Sequence, residues 1–133
     1  MWRRTRPDPA AEAAWAGFLG FARALDEGSR ALLATVPSAR RPGAPLEAGV
    51  AGFLAGLEAA RAELGAWDHP ALAGARAATA AALDAAERRA RDLPAASRGL
   101  EFEHRNERVA EVLDELLPVQ AAERAVRDLR RQR

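Results

Sequence analysis

This 133-residue sequence contains two histidines, and one of them stands in the step Glu101-x-x-His104. A carboxylate and an imidazole three residues apart on a helix are the pair with which helical bundles hold two metal ions. That chemistry needs both groups to point into the bundle. On a helical wheel Phe102, Asn106, Val109, Leu113 and Leu116 fall together and His104 falls nearly opposite, so Glu101 and His104 are expected in solvent. A second such step is missing, and none of the expected core stripes carries a carboxylate. With no Cys there is also no thiolate nucleophile, no zinc cage and no disulfide framework. No catalytic residue, metal ligand or cofactor is therefore expected. His69, beside Pro70, reads as a loop residue.

Asn106 falls inside the apolar stripe of its helix, and two readings of it stand. A polar residue in a helical seam fixes register or partner choice at some cost in stability. Alternatively the helix tilts and leaves Asn106 at the wet end of the bundle.

Charge is unevenly spread. All twenty basic residues are Arg, and the net charge is only +1. Such Arg and Ala usage is first of all what a GC-rich genome produces, although the guanidinium fork does match phosphate and carboxylate better than an ammonium does. Arg3, Arg4 and Arg6 open the chain, beside Trp2. Arg124, Arg127, Arg130, Arg131 and Arg133 close it, against Glu123 and Asp128. Between them, residues 99–117 hold six acids against Arg105 and Arg108. The two basic ends are candidates for meeting a partner protein or nucleic-acid phosphate. The plainer reading is that C-terminal cations complement the helix dipole. There is no Gly-rich phosphate loop, and no aromatic residue interleaves with the basic ones beyond Trp2.

The elements that must position these groups read clearly as helices. Asp8 can cap a first helix and Pro9 suits its first position. Trp15, Phe18, Ala22, Leu25, Leu32 and Val36 form its expected core stripe, widened by Leu19 and Leu33; Gly28 and Ser29 interrupt it and Pro37 ends it. Residues 37–45 hold three prolines and read as an extended loop. A second helix from Pro45 to Leu64 carries Leu46, Val50, Phe53, Leu57 and Leu64, with Gly65 as its stop.

Asp68 is the expected cap of the third helix, with Trp67 stapled onto Leu72. That helix carries Leu72, Ala75, Thr79, Ala82, Leu83, Ala86 and Leu93, and Pro94 is expected to stop it. The abundance of Ala in this stripe should let neighbouring backbones approach closely. Ser97 is the expected cap of a fourth helix running to about Leu117. Pro118 then kinks it or opens a short fifth helix with Val119, Ala122, Val126 and Leu129.

Size and helical architecture resemble those of histidine phosphotransfer domains, a resemblance that would make His104 a phosphorylated residue. There the histidine is followed by a Lys and a small residue, whereas Arg105, Asn106, Glu107 and Arg108 follow here. Glu103 and Glu107 would repel a phosphoryl group. The stretch Asp26-Glu27-Gly28-Ser29-Arg30-Ala31-Leu32-Leu33 is similar to an Arg-Gly-x-Arg-Ala-x-Leu step of small helical subunits in CRISPR surveillance complexes. Glu27 replaces the first Arg, and so short a stretch assigns no family.

The expectation is an all-α chain, an antiparallel four- to five-helix bundle, forming a single domain over residues 1–133. It comprises a basic arm (1–7), the Pro-rich loop (37–45) and a basic C-terminal helix (118–133). Arg3 and Arg4 have the charge of a secretion signal, but Pro7, Asp8 and Pro9 interrupt it. The longest uncharged apolar run, Ala13 to Ala22, is about half the ~20 residues that span a bilayer. A cytoplasmic protein that avoids the membrane is expected.

Its expected role is a non-enzymatic protein–protein interaction module, either self-associating or a small subunit of a larger assembly. Trp2 and Phe21, which look underused by one core, support that role. The alternative is a nucleic-acid-contacting subunit using Trp2, Arg3, Arg4, Arg6, Arg124, Arg127, Arg130, Arg131 and Arg133. A metal or phosphotransfer site at Glu101 and His104 comes third.

Overall fold

The computed structural model describes residues 8–131, and the fold over them is all-α. Helix α1 (Pro9–Leu33) is followed by α2 (Leu46–Glu63), two short 3₁₀ turns (Leu64–Ala66 and Pro70–Leu72), α3 (Ala73–Ala96), α4 (Phe102–Asp114) and α5 (Val119–Arg131). Among these residues no helix is long and apolar enough to cross a membrane. Trp2, Arg3, Arg4, Arg6 and Arg133 lie outside the described residues.

Local chemistry sets the start of α1. Asp8 Oδ1 accepts from the Ala10 N–H at 3.0 Å, satisfying a donor that no helical carbonyl can reach, and Pro9 needs no such partner. Residues 37–45 form the connection between α1 and α2, as their prolines require.

Helix α1 buries Phe18, Leu25 and Leu32 of its expected stripe, but the buried face is rotated toward Ala11, Ala14 and Phe21. Ala11, Ala14, Phe18, Phe21, Leu25, Gly28 and Leu32 are buried, while Trp15 and Ala22 are half-buried and Leu19 and Leu33 are each 50% exposed. The buried set alternates steps of three and four, as a helical seam should. Gly17 is buried beside Phe18, so small residues contribute four of the eight buried positions, and a search for large apolar residues alone shifts the stripe. Phe21, expected to be underused, is fully buried: its ring lies 5.1 Å from that of Trp67, edge-on. Phe18 lies 5.8 Å from Trp67 as well. Trp67 thus packs into α1 from the α2–α3 connection, in the same buried cluster as Leu72.

A close backbone approach occurs between α1 and α2. Helix α1 runs unbroken through Gly28, whose hydrogen atom in place of a side chain lets Gly56 of α2 come into contact. A Cβ built on Gly56 would stand 2.7 Å from the Gly28 Cα and 2.8 Å from the Ala24 carbonyl oxygen. Gly28 therefore acts at a helix crossing and does not interrupt the helix.

Three other expectations change at helix ends. Helix α3 continues through Pro94 to Ala96, because the hydrogen bond that proline removes is one among many in a helix already anchored by Ala86, Ala90 and Leu93. Ser97 ends α3 instead of starting α4: its N–H donates to the Leu93 carbonyl at 3.0 Å, and Gly99 then takes the left-handed φ of 71°. Asp68 is exposed, and the cap beyond it is His69, whose Nδ1 accepts from the Ala71 N–H at 3.0 Å. Helix α4 closes at Asp114, and a turn over 115–118 leads into α5.

Candidate functional site

Trp15 lies one residue off the buried seam of α1, so its indole is left half-covered at the edge of the core. It stacks on Phe18 with ring centres 5.9 Å apart. Helix α5 supplies the rest of the cover. Val126 and Leu129 anchor that helix by burial, and Arg127 and Arg130, each one residue along, reach the indole. Their guanidinium centres stand 5.6 and 5.2 Å from the ring centre. A cleft of about 210 Å³ is lined by Trp15, Arg127, Arg130 and Arg131. One helical turn beyond Trp15, Leu19 is half exposed.

Carboxylates hold two of these guanidinium groups from outside the cleft. Arg130 Nε donates to Glu12 on α1 at 3.1 Å, and Arg127 Nη2 donates to Glu123 one turn back at 2.7 Å. Exposed ion pairs of this kind contribute about 0–1 kcal/mol, and exposed cation–π contacts a similar ~0.5–1 kcal/mol. Their consequence is orientation more than stability: both guanidinium groups are held beside the same indole. Arg124 is exposed on the same helix.

A second depression, about 900 Å³ and open, runs along the α2–α3 connection past Leu64, Trp67, His69, Ala73 and Ala77. Arg61 bounds it, donating to Glu87 at 2.8 Å and to Asp84 at 2.9 Å and so tying α2 to α3. The hydrogen bond from Arg61 holds the Glu87 carboxyl below its ordinary pKa, and the same bond raises Arg61 above its own. Near one end, His69 Nε2 lies 3.5 Å from Asp8 Oδ2. Asp8 therefore caps α1 with one oxygen and faces His69 with the other.

His104 is exposed, as its wheel position predicts, with Nδ1 3.5 Å from Glu107 Oε2. Among the described residues no group of three or more His, Asp or Glu is placed to hold a metal ion. Asn106 is half-buried in a cleft formed by α4 and the 37–45 loop, with Thr35, Pro37 and Leu46 across from it. Phe102, one turn earlier on the same face, is 44% exposed.

Set beside known protein families, curated proteins and solved structures, the chain matches none. The geometry on its own therefore ranks the surfaces. Of the expected contact residues, the structure brings Arg127, Arg130 and Arg131 together and adds Trp15. Sequence reading assigned Trp15 to the core because its spacing from Phe18 and Leu25 is helical. The available signal was the alternative seam through Ala11, Ala14, Phe18 and Phe21, from which Trp15 is displaced.

Proposed function

We propose that this chain is a non-enzymatic interaction module that binds protein through the α1–α5 face. On this reading it is one domain, an antiparallel bundle of five helices acting in the cytoplasm. Packing of α1 on both α2 and α5, and of α3 on α2, α4 and α5, supports that arrangement.

The observation that carries the reading is the half-covered Trp15, with Arg127 and Arg130 over its ring and Leu19 exposed on the next turn. Trp and Arg are the residues most enriched among those that dominate binding energy at protein interfaces, and an apolar neighbour adds area that water leaves on contact. The rival reading, contact with nucleic acid, rests on unpaired cations, since affinity for a phosphate backbone grows with the charges neutralised. On α5 Arg127 pairs with Glu123 and Arg130 with Glu12, and Asp128 offsets one of the two remaining cations, Arg124 and Arg131. That balance favours protein.

The test is native mass and light scattering at micromolar concentration, together with affinity capture from cells that make the protein, for wild type and Leu19→Glu. Self-association or a captured partner set that disappears in Leu19→Glu is the expected result. A strict monomer that captures the same set with and without the substitution would end the proposal.

A further inference from the structure

We propose that the cleft beside Trp15 receives the carboxylates of an acidic peptide segment from a partner protein, with Leu19 contacting an apolar side chain next to them. The inference rests on the protein-binding reading above and specifies the partner's chemistry.

The lining of the cleft is one indole and three guanidinium groups, with no acid among them. A cation–π contact uses the charge of a guanidinium and consumes none of its five N–H donors. Arg130 gives only Nε to Glu12, and Arg127 only Nη2 to Glu123, so each retains donors on its other nitrogens. Glu12 and Glu123 also demonstrate the chemistry, since both are carboxylates held by these same two groups at hydrogen-bond distance. A further carboxylate in the cleft would meet a fork geometry that suits it.

Size narrows the occupant. At about 210 Å³ the cleft is smaller than the ~300–1,000 Å³ of ordinary small-molecule sites, and it suits one or two peptide side chains. A continuous phosphate strand passing over the same face would run against Glu12, Glu123 and Asp128. A peptide can instead place its acids in the cleft and an apolar residue on Leu19.

The probe is a fluorescein-labelled peptide of repeated Glu-Glu-Leu, titrated with the full chain at low salt and followed by anisotropy. Wild type should bind it saturably, and Arg127→Gln/Arg130→Gln should weaken binding about tenfold or more, the loss expected for charge-assisted bidentate contacts. Arg131→Gln should weaken it less. Arg40→Gln, in the loop beyond the other end of α1, should leave it unchanged. Circular dichroism on each variant establishes that the helices persist.

Equal binding by wild type and the double variant would overturn the proposal, as would tighter binding of a labelled oligo-dT than of the peptide. Should the acidic peptide ignore these arginines while Leu19→Glu still abolishes complex formation, the carboxylate chemistry is wrong and the interaction surface stands. If Leu19→Glu changes nothing either, both readings fall.

Discussion

Gly56 of α2 meets Gly28 of α1 at a backbone-to-backbone crossing, where a methyl group on Gly56 would stand 2.7 Å from the Gly28 Cα. Further close approaches flank it: a Cβ on Gly52 would meet Ala31 of α1, one on Gly49 would meet Thr35 just past the end of α1, and one on Gly17 would meet Ala66 in the 3₁₀ turn after α2. The two helices are held by proximity that only hydrogen side chains permit.

Replacing Gly by Ala in a helix interior ordinarily stabilises by about 0.5–1 kcal/mol. Gly56→Ala should do the opposite and destabilise by about 1–3 kcal/mol, because the obstruction is backbone and cannot rotate away. Gly74→Ala, where an added Cβ meets nothing within 4 Å, should be neutral or slightly stabilising. Urea unfolding of both variants checks the contrast; a Gly56→Ala protein as stable as wild type would mean that the crossing is looser than described.

Thr79 is 1% exposed and its Oγ1 finds no hydrogen-bond partner in the protein. A buried hydroxyl without a partner costs about 1–3 kcal/mol of desolvation. Thr79→Val keeps the branched shape and removes the polar atom, so it should raise the thermal midpoint. A drop would show that the hydroxyl does make a bond that stabilises the fold.

Asp8 serves two neighbours with two oxygens. Asp8→Ala should destabilise by about 1 kcal/mol through loss of the cap. Asp8→Asn retains an oxygen for the Ala10 N–H and should recover most of that loss, with the remainder reporting the His69 contact. Equal destabilisation by both substitutions in chemical unfolding would refute a capping role.

Glu87 gives the pH dependence a sign. Its folded-state pKa lies below the ordinary 4.5, because Arg61 donates a hydrogen bond to the ionised form. The unfolded chain therefore takes up the proton first as pH falls. The stabilisation is present above the unfolded pKa and is lost as pH drops through the lowered folded value. Wild type should accordingly exceed Glu87→Gln in thermal midpoint at about pH 7, with the gap closing as pH falls below the ordinary carboxylate value and through the lowered one. A gap that is unchanged by acid would assign the effect to packing.

The helices themselves were legible in the sequence wherever local chemistry decides them. Asp8 and Pro9 start α1, the prolines of 37–45 open the loop, and the stripes Val50, Phe53, Leu57 and Ala122, Val126, Leu129 are buried as their spacing predicts. Pro94 and Ser97 misled, because a proline near the end of an anchored helix removes one bond, and Ser97 closes α3 through its backbone N–H and not through its hydroxyl.

What the sequence by itself determined is the all-helical character and the outward placement of His104, since spacing and capping depend on residues within a turn or two of one another. Tertiary structure decided how far the buried face of α1 is rotated from the stripe of Phe18, Leu25 and Leu32. Ala11, Ala14 and Gly28 carry too little apolar area to announce a seam, and they are buried because neighbouring elements come close enough to cover them. It also decided the candidate site, because Trp15 and Arg130 are more than a hundred residues apart, and only the docking of α5 on α1 lays one over the other.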